Sequence, residues 1–261
     1  MTYLLDPAWH AEKTRLDDLA AHYDPGTAAV FDRIGVAPGW RCADIGAGGG
    51  SVVEMLADRV GPGGHVLAVD NDTRYLEPLA GGQVEVLAAD ITADPLPADH
   101  FDLVHARLLV EHLPSAEDAI GAMVAAVRPG GWLVVEDLDW STVSTVDPPS
   151  PAHERVLRAL RELFDTMSYD PCCGRTLPRA LRRAGLDDVG FRAEPRPLTA
   201  DRERGVPLWE MFVDQLAPHL LGGGLLTQAD LDAFHRLWHD GESTGFGPLM
   251  VSAWGRLPGG A

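Results

Sequence analysis

The sequence predicts an α/β protein built on a mostly parallel sheet with helices on both faces. Three observations carry that prediction. Short apolar runs alternate with helix-like stretches from about residue 40 to 137. The runs are continuously apolar, as in strands buried on two faces, where a half-exposed strand would alternate. The 261-residue chain is the size of one domain, or of a domain with a modest cap, and is 46% hydrophobic and 23% charged, which excludes global disorder.

The elements follow in order. Residues 1–35 form a preceding helical segment, with Leu16, Leu19, Ala20 and Tyr23 at helical spacing. Arg41–Ile45 is the first strand and runs into glycines. Val52–Val60 reads as a helix closed by Gly61-Pro62-Gly63-Gly64. His65–Val69 is the second strand, followed by Asp70, a helical Thr73–Ala80 and a Gly81-Gly82 turn. Val84–Ala88 and Phe101–Ala106 are the third and fourth strands. Ser115–Val127 is a helix with Ser115 as N-cap and Pro129-Gly130-Gly131 as its stop, and Trp132–Val135 is the fifth strand. Past Asp137 the pattern loosens. Ser141–Pro151 reads as a loop or linker. His153–Met167 is a helix with Val156, Leu157, Leu160 and Phe164 on one side, and Leu177–Ala184 is another. Asp187–Ala193 is a strand, Val206–Leu220 and Gln228–Trp238 are helices, and Pro248–Trp254 is the last strand. No internal repeat or low-complexity tract interrupts this order.

Charge narrows the function classes. Lys and Arg total 21 against 39 Asp and Glu, a formal net charge of −18. Nucleic-acid partners and anionic membrane surfaces both require clustered cations, so neither is expected. No apolar run approaches the roughly 18–20 residues of a membrane span, and Met1 to Arg15 lacks a signal-peptide apolar region, so a cytoplasmic protein is expected. Three cysteines, Cys42, Cys172 and Cys173, have no metal spacing and suit neither a disulfide scaffold nor a zinc cage.

The strongest local signal is Asp44-Ile45-Gly46-Ala47-Gly48-Gly49-Gly50-Ser51, directly after a strand and opening a helix. Glycines there let the backbone approach a ligand at a helix N-terminus. A nicotinamide site wants G-x-G-x-x-G, and Ser51 stands at its third position. The spacing present is D-x-G-x-G-x-G. It resembles the first motif of class I S-adenosylmethionine (SAM) dependent methyltransferases. Four further stretches resemble that family in order. They are Val66–Asp70, Ala89-Asp90-Ile91, the run from Phe101 to Leu113, and Arg128–Asp137. The flavour is that of bacterial small-molecule enzymes of the ubiquinone/menaquinone-biosynthesis type.

The resemblance implies a doubly wound, Rossmann-like seven-stranded sheet whose last strand, Pro248–Trp254, runs antiparallel beside Asp187–Ala193. It divides the chain into an N-terminal helical lid (1–35), a SAM-binding core (36–137) and a remainder (138–261). That remainder completes the sheet and carries helical substrate-cap insertions at about 138–176 and 205–242. Its cofactor set is Asp44, Gly46, Ala47, Gly48, Asp70, Asn71, Asp90, Ile91, Ala106 and Arg107, holding SAM and leaving S-adenosylhomocysteine, with no metal. In that set Asp44 holds the loop or receives the ligand ammonium, and Asp70 accepts both ribose hydroxyls. Asp90 and Ile91 take the adenine, and Arg107 reaches the methionine carboxylate. Tyr3, His10 and Arg15 belong to the lid, with Arg15 meeting that carboxylate or a surface acid.

Methyl transfer from a sulfonium needs alignment above all, and a base only if the acceptor must lose a proton. Base candidates are Glu111 and His112 after the fourth strand, with His112 favoured because imidazole titrates near neutrality. Asp137 and Asp139 follow the fifth strand, and His10 and His153 are reachable from flanking helices. His235 and His239 share a helix face at i, i+4, but no third metal ligand is suggested nearby. The aromatic residues of the later segments point to an apolar or aromatic small-molecule acceptor bound by His112, Trp140, Trp209 and Phe212. A homodimer is one expected assembly. The alternative chemistry is a SAM-fold enzyme performing a cyclisation or isomerisation. A nicotinamide oxidoreductase and a non-enzymatic binding protein are the other readings.

Overall fold

A computed structural model describes residues 11–199, 206–239 and 241–259. In chain order its elements are α1 (Glu12–Ile34), β1 (Arg41–Ile45), α2 (Ser51–Val60), β2 (His65–Asp70), β3 (Val84–Ala88), β4 (Phe101–Arg107), α3 (Ala116–Ala126), β5 (Val127–Asp139) and β6 (Val146–Asp147). There follow α4 (Pro151–Phe164), α5 (Cys173–Arg183), β7 (Asp187–Glu194), β8 (Pro197–Thr199), α6 (Val206–Gly222), α7 (Gln228–His239), β9 (Thr244–Phe246) and β10 (Leu249–Arg256). Tyr3 and His10 lie outside the described residues.

Seven strands make one sheet in the order β3-β2-β1-β4-β5-β10-β7. Strands β1 to β5 pair in parallel, as the apolar runs predict, and β10 lies antiparallel between β5 and β7, beside Asp187–Glu194 as the family resemblance implied. The continuous apolar runs have a direct cause. Alternate residues of one strand point to opposite faces. On β4 and β5, Leu103 and Val134 pack beneath α1 and α2 with Phe31, Val53 and Leu56. Their neighbours Val104, Leu133 and Val135 pack on the other face with Ile120, Met123 and Leu177. A third apolar cluster joins α4, α6 and α7 with Trp140 and Tyr169, and it sits beyond the sheet.

Three elements differ from the sequence reading. Thr73–Ala80 is not a helix; only Glu77–Leu79 forms a 3₁₀ turn. Pro78 supplies no N–H and disfavours helical geometry at Glu77. Strand β5 is much longer than Trp132–Val135, because β10 pairs it from Trp132 to Asp139 and the Pro-Gly-Gly stop is absorbed as a register shift against β4. The segment 141–151, expected as a loop, contributes β6 to a small second sheet, β6-β9-β8. Strands of two or three residues are too short to show a hydrophobic period. Ser115 does cap α3, its hydroxyl accepting the Asp118 N–H.

Candidate active site

The site is built at the carboxyl ends of β1, β2 and β4, where an open parallel sheet leaves a crevice. Gly46, Gly48 and Gly50 all have positive φ, at 70°, 52° and 86°. A side chain at Gly46 would also press on Leu109, its Cβ 3.1 Å from that residue. The loop is tied to the next strand by Gly46 N–H to the Val69 carbonyl, 2.8 Å. It frames a cavity of about 520 Å³, the size of a small-ligand cleft.

Asp44, Gly46, Ala47, Gly48, Asp70, Asn71, Asp90, Ile91 and Arg107 line this cavity, together with Glu111, His112 and Phe212. Asp70 is positioned by the loop it faces. Its Oδ2 accepts the Gly48 N–H at 2.8 Å and its Oδ1 the Asp72 N–H at 3.0 Å. Burial raises its pKa above the ordinary carboxylate value. Asp90 is held in a turn by Thr92, whose N–H and hydroxyl donate to Oδ1 at 2.8 and 2.7 Å. Those bonds lower its pKa.

Other expected residues stand elsewhere. Ala106 is fully buried in the sheet and does not line the cavity. Trp140 and Trp209 do not line it either; both are buried in the apolar cluster formed with α4, α6 and α7. Trp140 Nε1 donates to the Tyr169 hydroxyl at 2.9 Å. Trp209 stacks on Phe212 with ring centroids 6.0 Å apart. It is Tyr169 and Phe212, one layer nearer, that reach the wall. The Arg107 guanidinium, at the cavity wall, is engaged by protein partners. It donates to Asp24 Oδ1 and Thr27 Oγ1 at 2.9 Å each, and to Ser51 Oγ at 3.3 Å. Arg15 does line the cavity, in a buried bidentate pair with Glu12 at 2.8 and 2.6 Å, so it is not a surface ion pair.

At the far end of the cavity the surroundings of His112 oppose its charged form. Burial, with Arg15 nearby, pushes its pKa down to about 3. It is therefore neutral at working pH and a weak proton acceptor. The adjacent Glu111 moves the other way. Burial and the neighbouring Asp137 raise its pKa well above the usual carboxylate value. Its Oε2 accepts the Leu138 N–H at 3.1 Å, and it shares a hydrogen bond with Tyr169. Asp137, buried behind it against Cys173 Sγ at 3.7 Å, is pushed up to about 8 by burial.

Sequence reasoning passed over a network under the loop. His105 and Glu136 are fully buried on adjacent strands, and Asp44 is opposite His105 in the β1–β4 register. His105 reaches Asp44 Oδ1 at 2.7 Å through Nδ1 and Glu136 Oε2 at 3.1 Å through Nε2. Thr27 of α1 and Ser252 of β10 also donate to Glu136. A signal did exist: a histidine within the apolar strand Phe101–Arg107 must find polar partners to be buried.

His153 is also buried, its Nε2 bonded to the Val143 carbonyl at 2.6 Å away from the cavity. His235 and His239 pair with Glu210 at 3.0 and 2.9 Å, which ties α7 to α6. Among the described residues no group of His, Cys, Asp and Glu has the arrangement of a metal site, and none of their helices is long and apolar enough to cross a membrane.

Comparison with known proteins places these features in a family context. A methyltransferase-domain family matches residues 43–135. A ubiquinone/menaquinone biosynthesis C-methyltransferase of Ectopseudomonas mendocina is 30% identical over 206 residues, 74% of this chain and 72% of that protein. Methyltransferase str2 of Strobilurus tenacellus is 31% identical over 156 residues, 59% of this chain but only 56% of its own length. Among solved structures, Haemonchus contortus phosphoethanolamine N-methyltransferase 2, bound to phosphomonomethylethanolamine and S-adenosylhomocysteine, superposes with a TM-score of 0.63 at 14% identity. That superposition covers 100% of this chain and 61% of the other.

Proposed function

The chain belongs to the class I SAM-dependent methyltransferase family, and on that premise we propose that it methylates a small, mostly apolar or aromatic metabolite. The supporting observation is the two-sided cavity. One end carries the glycine loop, Asp44, Asp70 and Asp90; the other is walled by Leu109, Leu113, Leu138, Tyr169 and Phe212.

The chemistry of the first end fits SAM. The ligand carries an ammonium, a sulfonium and a vicinal diol. An acid-rich wall suits its cations, and Asp70 has two acceptor oxygens for two hydroxyls. Asp90 keeps Oδ2 for an amino group while Thr92 occupies Oδ1. Bound there, SAM supplies an activated methyl group for in-line transfer. The protein's own part is to position and to exclude water. Helix α1 covers the loop with Leu16, 3.2 Å from where a Cβ of Gly49 would be. The apolar wall orients the acceptor.

Where the acceptor must lose a proton, Glu111 is the group that takes it. Its raised pKa makes its carboxylate a stronger base than an ordinary one, and it lines the cavity. Neutral His112 lies beside it, Nε2 3.6 Å from Glu111 Oε1. Calorimetry with SAM, against NAD as control, tests the first end. A screen of aromatic and apolar metabolites for S-adenosylhomocysteine release tests the second. Binding of NAD and not SAM would overturn the proposal.

A further inference from the structure

We propose that His105 is a positioning residue: an imidazolium clamped between Asp44 and Glu136 that orients Asp44 toward the amino-acid end of bound SAM. The inference rests on the SAM-binding reading of the cavity.

The geometry carries it. Both ring nitrogens of His105 face carboxylate oxygens, at 2.7 Å for Asp44 and 3.1 Å for Glu136. A carboxylate accepts and does not donate, so two such partners require an N–H on each nitrogen. Against its burial, the hydrogen bond and charge of His105, with the nearby charge of Arg107 and the Ser252 hydroxyl, lower the pKa of Glu136 and hold it as the carboxylate. The ring is sealed from water, with Phe31 edge-on at 5.3 Å. The charged neighbours are Asp44 of β1 and Glu136 of β5. Arg107 of β4 and Asp24 of α1 follow through Thr27 and Ser51.

Asp44 is the one member of this clamp that lines the cavity. With Oδ1 taken by His105, its Oδ2 is the oxygen left for a cationic ligand group. The clamp also reaches the covering helix, because Thr27 of α1 donates to the same Glu136 oxygen that His105 holds. Asp44 orientation and α1 attachment thus share one buried charge. Removing it would set two carboxylates against each other in a dry site.

The test compares two ligands by calorimetry: S-adenosylhomocysteine, and 5′-methylthioadenosine, which lacks the amino-acid portion. In His105→Gln, S-adenosylhomocysteine affinity should fall about tenfold or more. Methylthioadenosine affinity should change less than threefold. Equal loss of both would mean that His105 only supports the fold and would overturn the proposal. Nitrogen-15 NMR of the wild-type imidazole is the second measurement. At pH 7.5 both His105 nitrogens should carry protons, and they should titrate at about pH 9. A neutral single tautomer at pH 7.5 would overturn it without any variant. If His105→Gln does not fold, Glu136→Gln replaces it, and the His105 titration must then move to lower pH. Wild-type protein that binds neither ligand would sink the SAM reading itself, while wild-type binding with unselective loss sinks only the role of His105.

Discussion

Asp70 shows how one side chain can do two jobs. Its carboxylate fixes the loop through Gly48 N–H and offers both oxygens at the cavity wall. Charge-assisted bonds are worth roughly 1.5–3 kcal/mol. Asp70→Ala is therefore expected to lower SAM affinity about tenfold or more, measured by calorimetry on folded protein; unchanged affinity removes Asp70 from the site. Glu111 and His112 divide differently from the expectation that imidazole is the base. For an acceptor that must lose a proton, Glu111→Gln should slow single-turnover transfer by roughly 10²–10⁴-fold, the scale of general-base catalysis. His112→Gln should cost much less. The wild-type rate should rise with pH as Glu111 deprotonates, above the ordinary carboxylate range, and His112→Gln should keep that profile. A profile that follows His112 instead would reverse the assignment. The reason is environmental: the same burial that withholds charge from His112 withholds it from Glu111, and the first becomes a poorer base while the second becomes a better one.

Helix α1 is the element on which the cavity depends. Its first turns carry Glu12, Arg15, Leu16, Leu19 and Ala20 onto the wall. Its second half is anchored, with Val30 and Phe31 buried under the sheet and Asp24 and Thr27 bonded to Arg107. The helix runs through Pro25, which has no N–H to give. Deleting residues 1–22 removes the covering part and leaves the anchor. The truncated protein should keep a cooperative thermal unfolding transition and bind SAM more weakly; full affinity would show that α1 does not act as a lid. Strand β5 makes the complementary point. Its local pattern supports a short strand, and its length comes from β10 pairing alongside it.

At the scale of the whole molecule, buried titrating groups set the response to pH. The folded pKa of His105 is raised to about 9 from 6.5, so its contribution is full below about 6.5 and is lost as pH rises through 9. Asp137, raised to about 8 from 3.8, also makes folding less favourable as pH rises toward 8. His112, lowered to about 3, acts on the acid side only. The thermal unfolding midpoint should therefore fall between pH 6.5 and 9.5, and Asp137→Asn should remove the part that runs through 8; a flat midpoint over that range would refute the assignments. The residues alone determined the α/β class, the strand order in the chain, the Ser115 cap, the glycine loop and the acids that end β2 and follow β3. Each of these depends on neighbours close in sequence: a period, a turn residue, a strand end. Tertiary structure decided what depends on lateral pairing and burial. Register set Asp44 opposite His105 and Glu136 beside it, from three separate strands. Packing put Tyr169 and Phe212 on the wall and left Trp140 and Trp209 behind them. Desolvation then chose which ionisable groups keep their charge, because the cost of burying a charge is set by partners that lie far away along the chain.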